Sequence, residues 1–119
     1  MEMQERLGRF VFLTEHRDVG NDKGLTIRIL GPTASSQQEE VLRFDCFEKQ
    51  PHYHVGFSVP PVPIEAPDPF RWTVEKLRQE FGELLRDAGA LSLNANEENT
   101  LADVLAVIEK TANQEPARG

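Results

Sequence analysis

Residues 41–59 read Val41-Leu42-Arg43-Phe44-Asp45-Cys46-Phe47, then Glu48-Lys49-Gln50-Pro51, then His52-Tyr53-His54-Val55-Gly56-Phe57-Ser58-Val59. Two runs rich in β-branched and aromatic residues flank a short polar turn, which predicts strands over 41–47 and 52–59. A connection this short makes the pair antiparallel, because a parallel pair needs a long crossover. Side chains alternate along a strand, so Leu42, Phe44 and Cys46 share one face. Tyr53, Val55, Phe57 and Val59 share a face of the second strand. If those apolar sets line the core, Arg43, Asp45, His52 and His54 collect on the opposite face. Thr26 and Arg28 join them if the preceding strand pairs alongside.

Upstream, Gly8 to Arg17 carries Phe10-Val11-Phe12-Leu13 and predicts a further strand. Asp18 to Gly24 supplies turn residues. Leu25, Ile27 and Ile29 alternate with Thr26 and Arg28, the period of a half-buried strand. Gly31-Pro32 closes it, and Thr33 to Glu40 reads as a polar loop. Met1 to Arg6 is charged and lacks the apolar run of a secretory signal.

Downstream, five of the eight prolines fall within 60–69, an extended connector that cannot enter the centre of a sheet. Asp68 is a credible N-cap, with Pro69 at the first helical position. Val74, Leu77, Phe81, Leu84, Leu85 and Ala88 then form one helical stripe, and Gly89 suits the left-handed stop. Asn94 to Asn99 reads as a linker. Thr100 caps a second helix whose apolar face is Leu101, Val104, Leu105, Ile108 and Ala112. Gln114 to Gly119 reads as a terminal tail. The expected fold is α+β in one domain over residues 1–119. A four-stranded antiparallel sheet lies over about 8–59, and helices over about 69–88 and 100–113 pack on one of its faces.

The chain has 119 residues, enough for one domain with a real core, and a formal charge of −7. That charge disfavours a general nucleic-acid-coating role. It is unevenly spread: residues 1–64 carry −2 and residues 65–119 carry −5. The sheet half is therefore nearly balanced, and a local contact with nucleic acid stays open. Cys46 is the only cysteine, so no intrachain disulfide and no multi-thiolate zinc site can form. Its alternation with Phe44 and Leu42 places it in the core rather than beside the histidines. No window approaches a membrane span. These features fit a cytoplasmic protein, bacterial in character.

Two of the three histidines thus fall two residues apart on one strand face, with Asp45 in cross-strand reach. Three readings follow. The leading one is non-enzymatic: a structural or protein-interaction module whose polar face is solvated, and whose free edge or uncovered face supports a homodimer or a protein partner. The second is metal-independent acid–base chemistry, a hydrolase or ribonuclease, with His52, His54, Asp45 and Arg43 as candidate catalytic residues. The third is a mononuclear metal site in which His52, His54 and Asp45 hold zinc or iron.

The run Leu42-Arg43-Phe44-Asp45 followed by Pro51-His52-Tyr53-His54 is similar to motifs in small uncharacterised bacterial proteins. More loosely, it resembles the TumE-like toxins of type II toxin–antitoxin pairs, which carry an arginine–aromatic–aspartate strand and a histidine-rich segment after proline. The overlap covers about a dozen residues. The resemblance implies a ribonuclease-like toxin with an antitoxin partner.

Overall fold

The computed structural model describes residues 2–56 and 60–114. The chain runs β1 (Glu2–Leu7), β2 (Phe10–Asp18), β3 (Lys23–Gly31), β4 (Glu39–Phe47), β5 (His52–Val55), β6 (Val62–Pro63), α1 (Pro69–Asp87) and α2 (Ala95–Gln114). The strands form one antiparallel sheet in sequence order. The α+β class and the helices on one face agree with the sequence reading. The strand number does not: among the described residues there are six strands, not four.

Both added strands lie at the edges. β1 alternates exposed Glu2, Gln4 and Arg6 with half-buried Met3 and Glu5 and buried Leu7. Glu2, Gln4 and Arg6 face solvent, so the strand carries no strong apolar signal in the sequence. Gly8, at φ 56°, turns the chain back into β2. β6 lies inside the proline connector and pairs Tyr53 with Val62 and His52 with Pro63. Proline is tolerated there because an edge strand has a side with no partner to receive an N–H. The strand predicted over 52–59 is observed as β5 to Val55, followed by Gly56, and Phe57 and Val59 lie outside the described residues. The polar loop predicted over 33–40 gives way at Glu39, where β4 begins.

α1 starts and stops where its local signals place it. Asp68 accepts a hydrogen bond from the Arg71 N–H at 3.1 Å, and Pro69 opens the helix. At the other end Ala90 N–H donates to Leu85 O and Gly89 N–H to Arg86 O, a Schellman closure through left-handed Gly89. α2 begins at Ala95, five residues before the predicted start. Its cap is Asn94, not Thr100. Asn94 Oδ1 accepts from Glu97 N–H at 2.8 Å while Glu97 Oε1 accepts from Asn94 N–H at 2.9 Å. This reciprocal capping box satisfies helix donors in the segment read as a linker. Thr100 sits inside the helix and donates to Asn96 O.

The core lies between the sheet and the helices. Phe10, Phe12, Ile27, Ile29, Leu42 and Phe44 meet Val74, Leu77, Phe81 and Leu85 of α1, and Leu105 and Ile108 of α2. The Phe81 ring sits 5.9 Å from Phe10 and 5.6 Å from Phe12, and Tyr53 stacks on Phe44 at 5.0 Å. One buried polar atom interrupts this layer: the Thr14 hydroxyl has no partner among the described residues. Thr14→Val removes an unpaired hydroxyl at nearly constant volume and is expected to stabilise the fold by about 1 kcal/mol. A raised urea midpoint with an unchanged m-value is the check. No described helix is long and apolar enough to cross a membrane.

Candidate functional site

Strand register assembles the site on the face that carries no helix. One row of opposed residues runs Glu15, Thr26, Asp45, His52, Pro63 across five strands. The adjacent row runs Leu13, Arg28, Arg43, His54. Opposed residues share a face, so the structure brings together all four candidates, Arg43, Asp45, His52 and His54, with Thr26 and Arg28 beside them. Cys46 is on the other face, against the Thr73 hydroxyl. Burial pushes its thiol up to about 12, with Asp45 and Asp68 adding to the rise against the opposing Thr73 bond. It is no nucleophile at neutral pH.

Asp45 is only 2% exposed, although no helix covers it. Its roof is made by five side chains from β2, β3, β4 and β5. Oδ1 accepts from the Thr26 hydroxyl at 2.9 Å and lies 3.5 Å from Arg17 Nη1. Oδ2 accepts from Arg43 Nε at 3.3 Å and lies 3.2 Å from His52 Nε2 and 3.6 Å from His54 Nε2. Arg17 and Glu40 were not singled out by sequence, yet Arg17 shares the parity of Glu15 on β2. Glu40 accepts from Arg28 Nε at 2.6 Å and sits 3.8 Å from Arg43 Nη1.

The partners of the two imidazoles identify which nitrogens carry lone pairs. His52 Nδ1 lies 2.8 Å from Gln50 O. A carbonyl only accepts, so Nδ1 bears the hydrogen, and in the neutral ring the Nε2 lone pair faces Asp45. His54 Nε2 lies 3.3 Å from Arg43 Nη2. Guanidinium only donates, so this nitrogen also presents a lone pair. Burial, then Arg43, then His52 hold the His54 imidazole below its usual range, against the opposing pull of Asp45 and Glu40. That shift favours the neutral form, the form that can ligate.

The Gln50 carbonyl is itself held in place. Asp22, in the β2–β3 turn, accepts from Lys49 N–H at 2.9 Å and Gln50 N–H at 2.8 Å. Burial raises its carboxyl, but these bonds, together with the Lys23 and Glu48 N–H groups, outweigh it and hold the carboxyl below its usual value. Asp22 reads in the sequence as an ordinary turn residue. Its role depends on two turns meeting, which no local pattern records.

Asp45, His52 and His54 each offer one donor atom, and the three atoms lie within 4.8 Å of one another. Tetrahedral bonds of ~2.0–2.1 Å place ligand atoms about 3.3 Å apart, close to the 3.2 and 3.6 Å separations seen from Asp45 Oδ2. The outer contacts also have the character of a metal site, with a carbonyl on His52 and a hydroxyl on Asp45. Beside the triad, Glu15, Arg17, Arg28, Glu40 and Arg43 line a cleft of about 440 Å³.

Among curated proteins, and likewise among solved structures, none matches the chain. A family model described as a domain of unknown function (DUF7700) matches residues 6–112, which takes in nearly all of the sheet and both helices. The chain belongs to this family, DUF7700, whose function is unknown.

Proposed function

We propose that the protein is a mononuclear metal-binding domain that holds a divalent zinc or iron ion through Asp45, His52 and His54. The observation that carries this reading is the facing of acceptors at the centre of the sheet. With Nδ1–H committed to Gln50 O, neutral His52 directs a lone pair at a carboxylate oxygen 3.2 Å away. Only a proton or a cation between them makes that contact favourable. His54 Nε2 lies 3.6 Å from the same oxygen, so two imidazole nitrogens flank one carboxylate oxygen, which suits an ion better than a single proton. Arg43 now donates to both Asp45 and His54. It must release His54 when the ion enters, and its one-third exposed side chain has room to do so.

Metal-independent ribonuclease chemistry, which the toxin-like motif implies, draws on the same residues and on Arg43. It is less well served, because His52 Nδ1 is held by Gln50 O and His54 Nε2 by Arg43 Nη2. Cobalt(II), added to EDTA-stripped protein and followed by its visible absorption, is expected to bind one equivalent per chain. His54→Ala should weaken that binding at least 100-fold, about 2.7 kcal/mol, while the circular dichroism stays native. Cobalt affinity equal in wild type and in the His52→Ala/His54→Ala double variant rejects the metal reading. RNA cleavage that persists in EDTA and disappears in His54→Ala favours the ribonuclease reading instead.

A further inference from the structure

We infer that the cleft lined by Arg17, Arg28 and Arg43 takes a dianionic phosphate, either inorganic phosphate or a phosphate monoester, and takes it together with the metal. The inference rests on the metal reading above and adds the class of ligand. Its basis is the charge and hydrogen-bond inventory of the cleft and of the Asp45 carboxylate beside it. Three guanidiniums stand there against three carboxylates, Glu15, Glu40 and Asp45. Without an ion the set is balanced, and the two rim carboxylates, Glu15 and Glu40, oppose an incoming anion. A divalent ion on the triad leaves two positive charges in excess. A dianion cancels that excess, whereas a monocarboxylate or a single phosphodiester cancels half of it.

The donors are present. A guanidinium offers five N–H groups in a planar fork suited to phosphate oxygens. Arg28 spends its Nε on Glu40, and Arg43 spends Nε and Nη2 on Asp45 and His54. Arg17 contacts Asp45 only as an ion pair at 3.5 Å and makes no hydrogen bond to any described residue. The remaining N–H groups belong to side chains that are one-third or more exposed and that line the same cleft. A four-coordinate ion with three protein ligands keeps one position for an outside oxygen. Arg17 and Arg43 touch the metal-binding carboxylate and line the cleft, so the two sites are contiguous.

Because the excess charge comes from the ion, metal and phosphate must reinforce each other reciprocally. The test uses phenyl phosphate, titrated calorimetrically into the full chain with one equivalent of cobalt(II) and, separately, into the metal-free chain in EDTA. The cobalt-loaded protein is expected to bind at least tenfold more tightly than the metal-free protein, and more tightly than it binds acetate. Arg28→Met, which removes a cleft guanidinium that touches Glu40 but none of the metal ligands, should keep one cobalt per chain and bind phenyl phosphate at least tenfold more weakly than the cobalt-loaded wild type. Phenyl phosphate bound no more tightly with cobalt than without it, or equally well by Arg28→Met, overturns the inference while leaving the metal reading in place. Failure of cobalt to bind overturns both, and the stoichiometry measured before phosphate is added tells the two failures apart.

Discussion

Asp45→Ala is expected to destabilise the fold by about 3 kcal/mol and to abolish metal binding. Asp45 is the one anion at the centre of two guanidiniums and two imidazoles, and it is almost wholly shielded from water. Removing it leaves like charges facing each other and the buried Thr26 hydroxyl without its acceptor. The partners are about one-third exposed, which keeps the cost below that of a fully buried pair losing a member. A cost of this size lowers the melting temperature by about 10 °C in a domain of this length. Urea denaturation and cobalt titration read the two effects separately. His52→Ala and His54→Ala should lose the metal with a smaller loss of stability, because Asp45 keeps Thr26 and both arginines. If Asp45→Ala unfolds at the wild-type midpoint, the polar face is an ordinary solvated surface.

The second large effect is expected at the opposite side of the molecule. Glu97 is fully buried at the start of α2, where its carboxylate accepts four N–H groups. These are Arg9 N–H at 2.7 Å, Arg9 Nε at 3.1 Å, Arg9 Nη2 at 2.8 Å and Asn94 N–H at 2.9 Å. The β1–β2 turn is built around this side chain: a Cβ at Gly8, which also holds a left-handed φ, would run into the Glu97 carboxylate. Glu97→Ala therefore loses the capping box and unfastens α2 from the β1–β2 turn, at about 3 kcal/mol.

The same clamp should make the fold acid-sensitive. Burial raises the Glu97 carboxyl, but the Arg9 side chain, the Arg9 and Asn94 backbone N–H groups and the Arg9 charge outweigh it and hold it at about 2. A carboxyl depressed on folding adds stability above its unfolded value, near 4.5, and loses that contribution as the pH falls toward 2. The urea midpoint should decline between pH 5 and 2 in the wild type. Glu97→Gln, which cannot titrate there, should start lower and decline less steeply. Parallel slopes in the two proteins would assign the acid sensitivity to other groups.

The site was readable where it followed from parity. Arg43 and Asp45 on one strand, and His52 and His54 on the next, fall on one face when the apolar sets of both strands line the core, and the observed register places them so. Arg17 was not readable, because its reach to Asp45 crosses β3 and depends on a long side chain bending over the sheet. Asp22 acts through the Gln50 carbonyl, a contact between turns distant in sequence. β1 and β6 escaped for a related reason. An edge strand buries at most one face, so charged residues or prolines can occupy it with no strong apolar signal.

By itself, the sequence determined the features that arise within a few residues of one another. These are the alternation that separates an apolar sheet face from a polar one, and both ends of α1, set by Asp68-Pro69 and Gly89. The placement of Cys46 in the core follows from the same alternation. Each is a local rule of backbone geometry that can be read without knowing which distant parts of the chain meet. Tertiary structure alone decided that Asp45 is buried, that two imidazole nitrogens approach one of its oxygens, and that three arginines frame a cleft beside it. Those properties depend on distances between side chains from four strands, which no spacing along the chain encodes.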